Sequence, residues 1–257
     1  MKHVSDFRVK KVRTLQYNDF ELFVTSDEEL EEIFPGQFVN ILVPNTQKTF
    51  LRRPISVCDV NYADGELRLY VRIVGDGTRT LSALKQGDTL NLLYPLGNSF
   101  TVKNVKNPLL VGGGCGIAPL LYLTKTFFNK NIRPTVLMGG QTAAALSWTT
   151  DFDAFATVYR ITNDGSTGEQ GLITQHSIWQ NVNQFDQIYA CGPEIMMKET
   201  AKLAVQKNIP CEVSLENVMA CGIGACLCCV TETTQGNQCV CVDGPIFDVL
   251  NLKNFVK

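Results

Sequence analysis

The chain lacks an apolar leader, a block of like charge and a stock of catalytic histidines. Residues 1–12, MKHVSDFRVKKV, contain no hydrophobic stretch of the kind that an export signal needs, which predicts a protein that stays in the cytoplasm. Lysine and arginine number 23 against 25 acidic residues and are scattered, so no basic stripe offers a footprint for nucleic acid. The only histidines are His3 and His176, and no pairing of base with nucleophile or carboxylate stands out, so no side chain is assigned as catalytic for an organic substrate. The longest uncharged run, Asn107 to Thr124, holds four glycines and two prolines. It reads as a buried strand, a tight turn and a helix start, and no membrane span is expected. Internal repeats and low-complexity segments are also missing.

What is present is an ordinary globular composition, 45% hydrophobic and 19% charged over 257 residues, enough for about two domains at roughly 150 residues each. Three textures follow one another. Residues 1–100 alternate apolar and polar positions between turns, as in FELFVTS at 20–26, GELRLYVRIVG at 65–75 and DTLNLLYP at 88–95. Short strands at this spacing predict a small antiparallel β-barrel. Residues 101–210 alternate strand and helix patterns (NPLLVGGG then IAPLLYLTKTFF, QIYACGPE then IMMKETAKLAVQK), which predicts a parallel α/β sheet with crossover helices. Residues 211–257 are cysteine-rich, weakly periodic and too short to fold without a staple, so a third, metal-stapled unit is expected there.

Seven of the ten cysteines lie between Cys211 and Cys241. A secreted disulfide framework would need export, so clustered thiols here point to a metal. Cys221 to Cys226 is C-x4-C and Cys226 to Cys229 is C-x2-C, the plant-type 2Fe–2S spacing. The alternative, a zinc site, ordinarily shows two separated C-x2-C knuckles, whereas three ligands here share one loop. Small residues, Gly222 to Ala225, let backbone N–H groups approach cluster sulfurs. Spacing leaves the fourth ligand open between Cys239 and Cys241, which would share a face on a strand.

Two further regions suggest nucleotides. Arg53-Pro54-Ile55-Ser56 offers a permanent charge for a pyrophosphate and a hydroxyl for a flavin, although an edge strand explains the same four residues. Arg72 falls on a strand, and Gly75-Asp76-Gly77-Thr78 resembles either an anion cradle or a plain capped turn before a helix. In VGGGCGIAP, 111–119, the glycines permit a tight turn and close approach of a pyrophosphate, but Ile117 stands at the third position of the G-x-G-x-x-G fingerprint. The turns TNDGSTG, 162–168, and ACGPE, 190–194, close strands at the end where open parallel sheets bind ligands. Asp164 would repel a 2′-phosphate and so favours NAD over NADP.

In this order, PGQFV, RPIS, GDGT, PLGN, GGGCGIAP and CGPE resemble the ferredoxin-reductase superfamily across nearly the whole chain. SLENVMACGIGACLCCV followed by CVDGPIF closely resembles the electron-transfer subunits of NAD-dependent dihydroorotate dehydrogenases. That resemblance implies a ferredoxin-NADP reductase-like fold, with FAD at Arg53, Pro54, Ile55, Ser56, Tyr70, Val71, Arg72, Gly77 and Thr78. It implies NAD near Gly112, Gly113, Gly114, Gly116, Asp164, Cys191 and Gly192. It implies Cys241 as the fourth cluster ligand, since the family's fourth cysteine stands two residues before Asp243-Gly244-Pro245, and makes Cys228 and Cys239 extras. It further implies an FMN-bearing catalytic partner subunit, in a heterotetramer, that oxidises dihydroorotate for pyrimidine synthesis. Small subunits of related ferredoxin:NADP oxidoreductases or sulfide dehydrogenases share these segments. A zinc-stapled binding module without catalysis is the alternative from a different class.

Overall fold

The structure is a computed structural model that describes residues 2–44 and 49–256. Six antiparallel strands close an N-terminal barrel: β1 (His3–Thr14), β2 (Asp19–Thr25), β3 (Phe38–Ile41), β4 (Arg53–Asn61), β5 (Glu66–Arg72) and β6 (Thr89–Leu96), in the order β1-β2-β5-β4-β3-β6. Alternation explains the closure. On β2, Phe20, Leu22 and Val24 point inward and join Phe7, Leu67, Leu69 and Leu90 in one apolar core. The GDGT segment is itself the start of helix α1 (Asp76–Ser82), with Gly75 as N-cap and Asp76, Gly77 and Thr78 in the first turn.

The alternate residues of β2 are charged, yet Asp19 is 2% exposed and Glu21 fully buried. Their face of the barrel is covered by a 3₁₀ segment, Ala143–Phe152, of the second unit. Arg68 lies between, donating to Glu21 from Nε at 2.8 Å and pairing with Asp151 through Nη1 at 2.6 Å. Arg13 takes the other carboxylate oxygen of Glu21. A buried carboxylate is tolerated only when paired in this way.

The second unit is a seven-stranded sheet, ordered β10-β9-β8-β7-β11-β12-β15. Its strands are β7 (Pro108–Gly113), β8 (Thr135–Gly140), β9 (Thr157–Thr162), β10 (Glu169–Gln170), β11 (Gln187–Cys191) and β12 (Cys211–Ser214), all parallel, with β15 (Ile246–Asp248) antiparallel at one edge. Helices α2 (Ala118–Asn129) and α3 (Glu194–Gln206) follow β7 and β11. The chain runs outward from β7 through β8, β9 and β10, then restarts on the other side at β11. That reversal leaves a crevice at the C-terminal ends of β7 and β11.

Past residue 210 the chain does not leave this sheet. The strand β12 continues it, and β15 (Ile246–Asp248) adds an antiparallel edge. Between them lie the cysteine loop and a hairpin of β13 (Val230–Thr233) and β14 (Gly236–Cys239). Cys229, Val240 and Cys241 pack into the same core as Val213, Phe247 and Leu252. Hydrophobic contact with the sheet therefore supports this segment alongside any metal. Asn98 fastens it to the barrel: its Nδ2 donates to the carbonyls of Asp243 and Ile246, both at 2.8 Å, and its Oδ1 accepts from Ile246 N at 2.9 Å.

Candidate functional site

The cysteine loop is shaped by two left-handed glycines, Gly222 at φ +73° and Gly224 at φ +83°. A Cβ on Gly224 would stand 2.9 Å from Val242 Cγ2, so the loop closes against the residue after Cys241. The turns aim backbone donors at sulfur. Ile223 N and Cys226 N each lie 3.4 Å from Cys221 Sγ, Gly224 N lies 3.2 Å from Cys241 Sγ, and Cys241 N lies 3.4 Å from Cys229 Sγ. The N–H of Ile223 is the main reason that the Cys221 thiol is drawn down to about 6, whereas burial pushes Cys241 up to about 12. The Cys221 thiol interacts with that of Cys226, and the Cys229 thiol with those of both Cys241 and Cys239. Among the described residues no three Cys, His, Asp or Glu side chains converge on one point as a single ion requires. The thiols of Cys221, Cys226, Cys229 and Cys241 beneath a canopy of N–H groups fit a two-iron cluster, each iron of which takes two protein ligands.

The strand expected to carry both late cysteines ends at Cys239. Val242 N and Asp243 N turn back to the Cys239 carbonyl at 2.9 and 2.8 Å. Cys241 therefore leaves the strand and is buried beneath the loop, while Cys239 stays half-buried beside Cys229 with its own N–H given to Asp243. Cys226 and Cys228 are exposed, next to exposed Ile223 and Leu227.

A cavity of about 380 Å³ opens between the barrel and the α/β sheet. Its walls include Arg53, Pro54, Ile55 and Ser56 of β4, Tyr70, Val71 and Arg72 of β5, and Thr78 of α1. Gly77 lies against Arg53, where a Cβ would come within 2.8 Å of Nε, so glycine keeps the guanidinium in place. The Thr78 hydroxyl is engaged in its own turn, accepting from Val74 N at 2.9 Å and Gly75 N at 3.2 Å, so it caps the helix start. Tyr70 stacks on Trp148 with centroids 4.4 Å apart and donates its hydroxyl to Asp19; burial raises its phenol well above the ordinary value. Arg72 is fixed by the same carboxylate at 2.8 and 3.0 Å. A flat apolar slot with two fixed guanidinium groups matches a flavin dinucleotide. Cys115 and the segment Leu215–Met219 complete the walls, and sequence reasoning assigned neither. Within that segment Glu216 has its carboxyl raised by burial and partly offset by Arg72.

A second cavity, about 400 Å³, occupies the crevice at the strand ends. Gly113 and Gly114 line it as expected, joined by Gly139, Gly140 and Asn163 and by Ile195 and Met196 of α3. Arg72 lines both cavities, so they meet at its side chain. The remaining expected residues serve the frame. A Cβ on Gly112 would meet Ile117 Cγ1 at 2.8 Å, and one on Gly116 would enter the backbone of Cys191–Gly192, so these glycines let turn pack on turn. Gly192, at φ +149°, lines an adjoining cavity, and the Cys191 thiol is buried and raised by desolvation. Asp164 stands one residue beyond the wall. Its carboxylate accepts from Ser166 N and Oγ at 3.0 and 2.6 Å, which holds it below the usual range. Asn163 lies in the turn that closes β9, and Ile195 and Met196 lie in the first turn of α3; none carried a sequence signal of its own.

Comparisons with known proteins agree with this geometry. The family profile of the iron–sulfur cluster binding domain of dihydroorotate dehydrogenase B matches residues 216–253, and that of the oxidoreductase NAD-binding domain matches residues 110–202. A dihydroorotate dehydrogenase B (NAD(+)) electron transfer subunit of Bacillus caldolyticus is 36% identical over 245 residues, covering 93% of this chain and 94% of that protein. One from Listeria monocytogenes serotype 4a is 38% identical over 238 residues, covering 89% and 90%. Among solved structures, that of an NADH-dependent reduced ferredoxin-NADP oxidoreductase, described for flavin-based electron bifurcation, aligns with TM-score 0.85 at 32% identity, covering 94% of this chain and 87% of that one. A ferredoxin reductase of carbazole 1,9a-dioxygenase, TM-score 0.71 at 21% identity over 81% of this chain and 67% of its own, shares the fold.

Proposed function

The chain belongs to the family of NAD(+)-dependent dihydroorotate dehydrogenase B electron-transfer subunits, and from that premise we propose how its residues carry electrons from a catalytic partner to NAD+. It is an oxidoreductase subunit that uses a 2Fe–2S cluster, FAD and NAD. When bound, these groups respectively pass single electrons, convert single electrons to pairs, and accept a hydride.

The protein's own part is to hold and order them. Cys221, Cys226, Cys229 and Cys241 are the cluster ligands, and the loop N–H groups stabilise their sulfurs. Arg53 supplies positive charge for the flavin diphosphate. Tyr70, clamped between Trp148 and Asp19, offers a flat wall, and Arg72 stands where the two cavities meet. Gly113 and Gly114 leave room for the dinucleotide backbone beside it. One observation carries the route: Met219 lines the flavin cavity and Cys221 lies two residues further along the same segment. Cluster, flavin cavity and dinucleotide crevice are thus arranged in series.

The partner in this reading bears FMN and oxidises dihydroorotate, and it docks at the exposed edge of the cluster loop in a heterotetramer. Asp164 disfavours a 2′-phosphate, so NAD is preferred to NADP. A cytoplasmic location suits ten cysteines of which none is paired in a disulfide. No helix among the described residues is long and apolar enough to cross a membrane. The likeness to the bifurcating ferredoxin-NADP oxidoreductase favours a second reading, a small subunit of that type of enzyme. Co-purification decides between them. A complex with an FMN-containing subunit that reduces NAD+ when given dihydroorotate supports the first reading. A complex that exchanges electrons with ferredoxin and NADP and ignores dihydroorotate overturns it.

A further inference from the structure

The turn between β1 and β2 is a tight hairpin turn whose tyrosine side chain leaves the barrel. Tyr17 and Asn18 both lie in the left-handed region, at φ +68° and +63°. Positive φ at both central residues is what a favoured hairpin turn requires, so the backbone here follows from the hairpin. The turn is closed without the tyrosine side chain. Asn18 Nδ2 donates to the Ile73 carbonyl at 2.8 Å, Ile73 N donates back to the Asn18 carbonyl at 3.0 Å, and Leu15 N donates to the Asp19 carbonyl at 2.9 Å. The Tyr17 side chain instead crosses from the barrel to the α/β unit. It lines the crevice at the strand ends, and its hydroxyl donates to Gln141 Oε1.

Gln141 follows Gly140 directly, at the ligand-binding end of β8, and lines the same crevice. With Oε1 engaged by Tyr17, the plane of the carboxamide is set and its Nε2 donors are the groups left to meet a ligand. Phosphate and ribose oxygens, the polar parts of a dinucleotide, are acceptors for such donors. We propose that Tyr17 is a positioning residue for the dinucleotide, reaching over from the flavin barrel to hold the Gln141 carboxamide with its N–H groups toward the ligand's phosphate or ribose oxygens. The proposal rests on reading this crevice as the NAD site. It gives the barrel a direct hand in binding the second substrate and ties the width of the crevice to the contact between the two units.

The test measures dissociation constants of NAD+ and ADP-ribose for the oxidised holoprotein by calorimetry, where no turnover occurs. Tyr17→Phe keeps the ring and removes the hydroxyl, and should weaken both ligands about fivefold, the value of one hydrogen bond. FAD content, iron content and melting temperature should stay unchanged, and the KM for NADH should rise while kcat holds. Gln141→Leu should weaken binding by at least as much, and adding Tyr17→Phe to it should cost nothing more, because the tyrosine acts through the glutamine. Binding by Tyr17→Phe within twofold of the parent, or a full additional loss in the double variant, overturns the proposal. Ile195→Glu separates it from the reading beneath it. Ile195 is 75% exposed on the crevice wall, so a carboxylate there is tolerated by the fold and should weaken NAD+ about tenfold through repulsion. If Ile195→Glu binds normally, the crevice assignment fails and the proposal with it. If Ile195→Glu weakens binding and Tyr17→Phe does not, the role of Tyr17 alone is refuted.

Discussion

Three of the four proposed cluster ligands arrive within the nine residues from Cys221 to Cys229, and backbone donors of that same stretch reach two of the four sulfurs. The flavin cavity is assembled differently. Arg53 comes from β4, Arg72 from β5, Thr78 from α1 and Glu216 from the segment after β12; Arg72 is held by Asp19 of β2, and Arg53 lies against Gly77 of α1. The first site is a local device, whose geometry follows from a few dihedral angles. The second exists only when barrel and sheet are docked. Damage to the loop should therefore be all-or-none and confined to iron, while damage to the cavity should be graded and shared with stability.

The sharpest way to break this contrast is Cys226→Ser. Serine removes one of four thiolates from an exposed loop that carries no core packing of its own at that position. Iron should be lost entirely and transfer to the partner abolished, whereas NADH should still bleach the FAD absorbance at the parent's rate. Full iron stoichiometry in this variant would remove Cys226 from the ligand set. A loss of FAD together with iron would refute the independence of loop and cavity. The second variant, Arg53→Ala, should act in the opposite compartment. Loss of a charge-assisted contact to a diphosphate weakens binding by up to about a hundredfold. FAD should then wash out on desalting while the iron stays; retention of FAD at parental levels would show that Arg53 serves only the carbonyls of Leu51 and Arg52 to which it donates.

The same contrast explains what could be read from the sequence. Ligand spacing is a local property, so the sequence alone was enough to propose Cys221, Cys226 and Cys229. The choice of Cys241 needed the family resemblance, because nothing in the sequence says that β14 stops at Cys239 and turns. The barrel was legible from the inward row Phe20, Leu22 and Val24. The outward row was not, since Asp19 and Glu21 look like surface residues until the 143–152 segment covers them. Glycines announced where the chain turns tightly, but not why. Gly113 and Gly114 face a cavity, while Gly112 and Gly116 are there to let neighbours pack. Glu216 and Tyr17 gained their positions from docking alone, and no local pattern marks them, whereas Asn163 lies in the turn after β9 that the strand-end pattern pointed to.

Docking itself can be probed at Asn98, whose side chain makes three hydrogen bonds that fasten the C-terminal segment to the barrel. In Asn98→Ala two carbonyls and one N–H lose their partner, at a cost of about 2 kcal/mol after solvent compensates in part. The melting temperature should fall by about 5 °C in a chain of this size. If the loop is a local device, the iron-to-protein ratio of the folded fraction should remain at the parent's value even so. A selective fall in iron with unchanged thermal stability would show that the loop depends on the barrel after all, which the 3.5 Å approach of Asn40 Nδ2 to the Cys221 carbonyl makes a pointed comparison.

The smallest effect is expected at Asp164, where a charge stands beside the dinucleotide crevice and not on its wall. The Asp164→Asn variant retains a side-chain oxygen to accept from Ser166 N and Oγ, so the turn keeps its shape while the charge disappears. Only a ligand bearing an extra phosphate should notice. The KM for NADPH should fall about threefold at low ionic strength, the KM for NADH should stay within experimental error, and the gain should shrink in 0.5 M salt as the exposed charge is screened. A larger gain that resists salt would place Asp164 in direct contact with the ribose and move it onto the wall. Equal changes for both nucleotides would mean that the turn, and not its charge, governs the site.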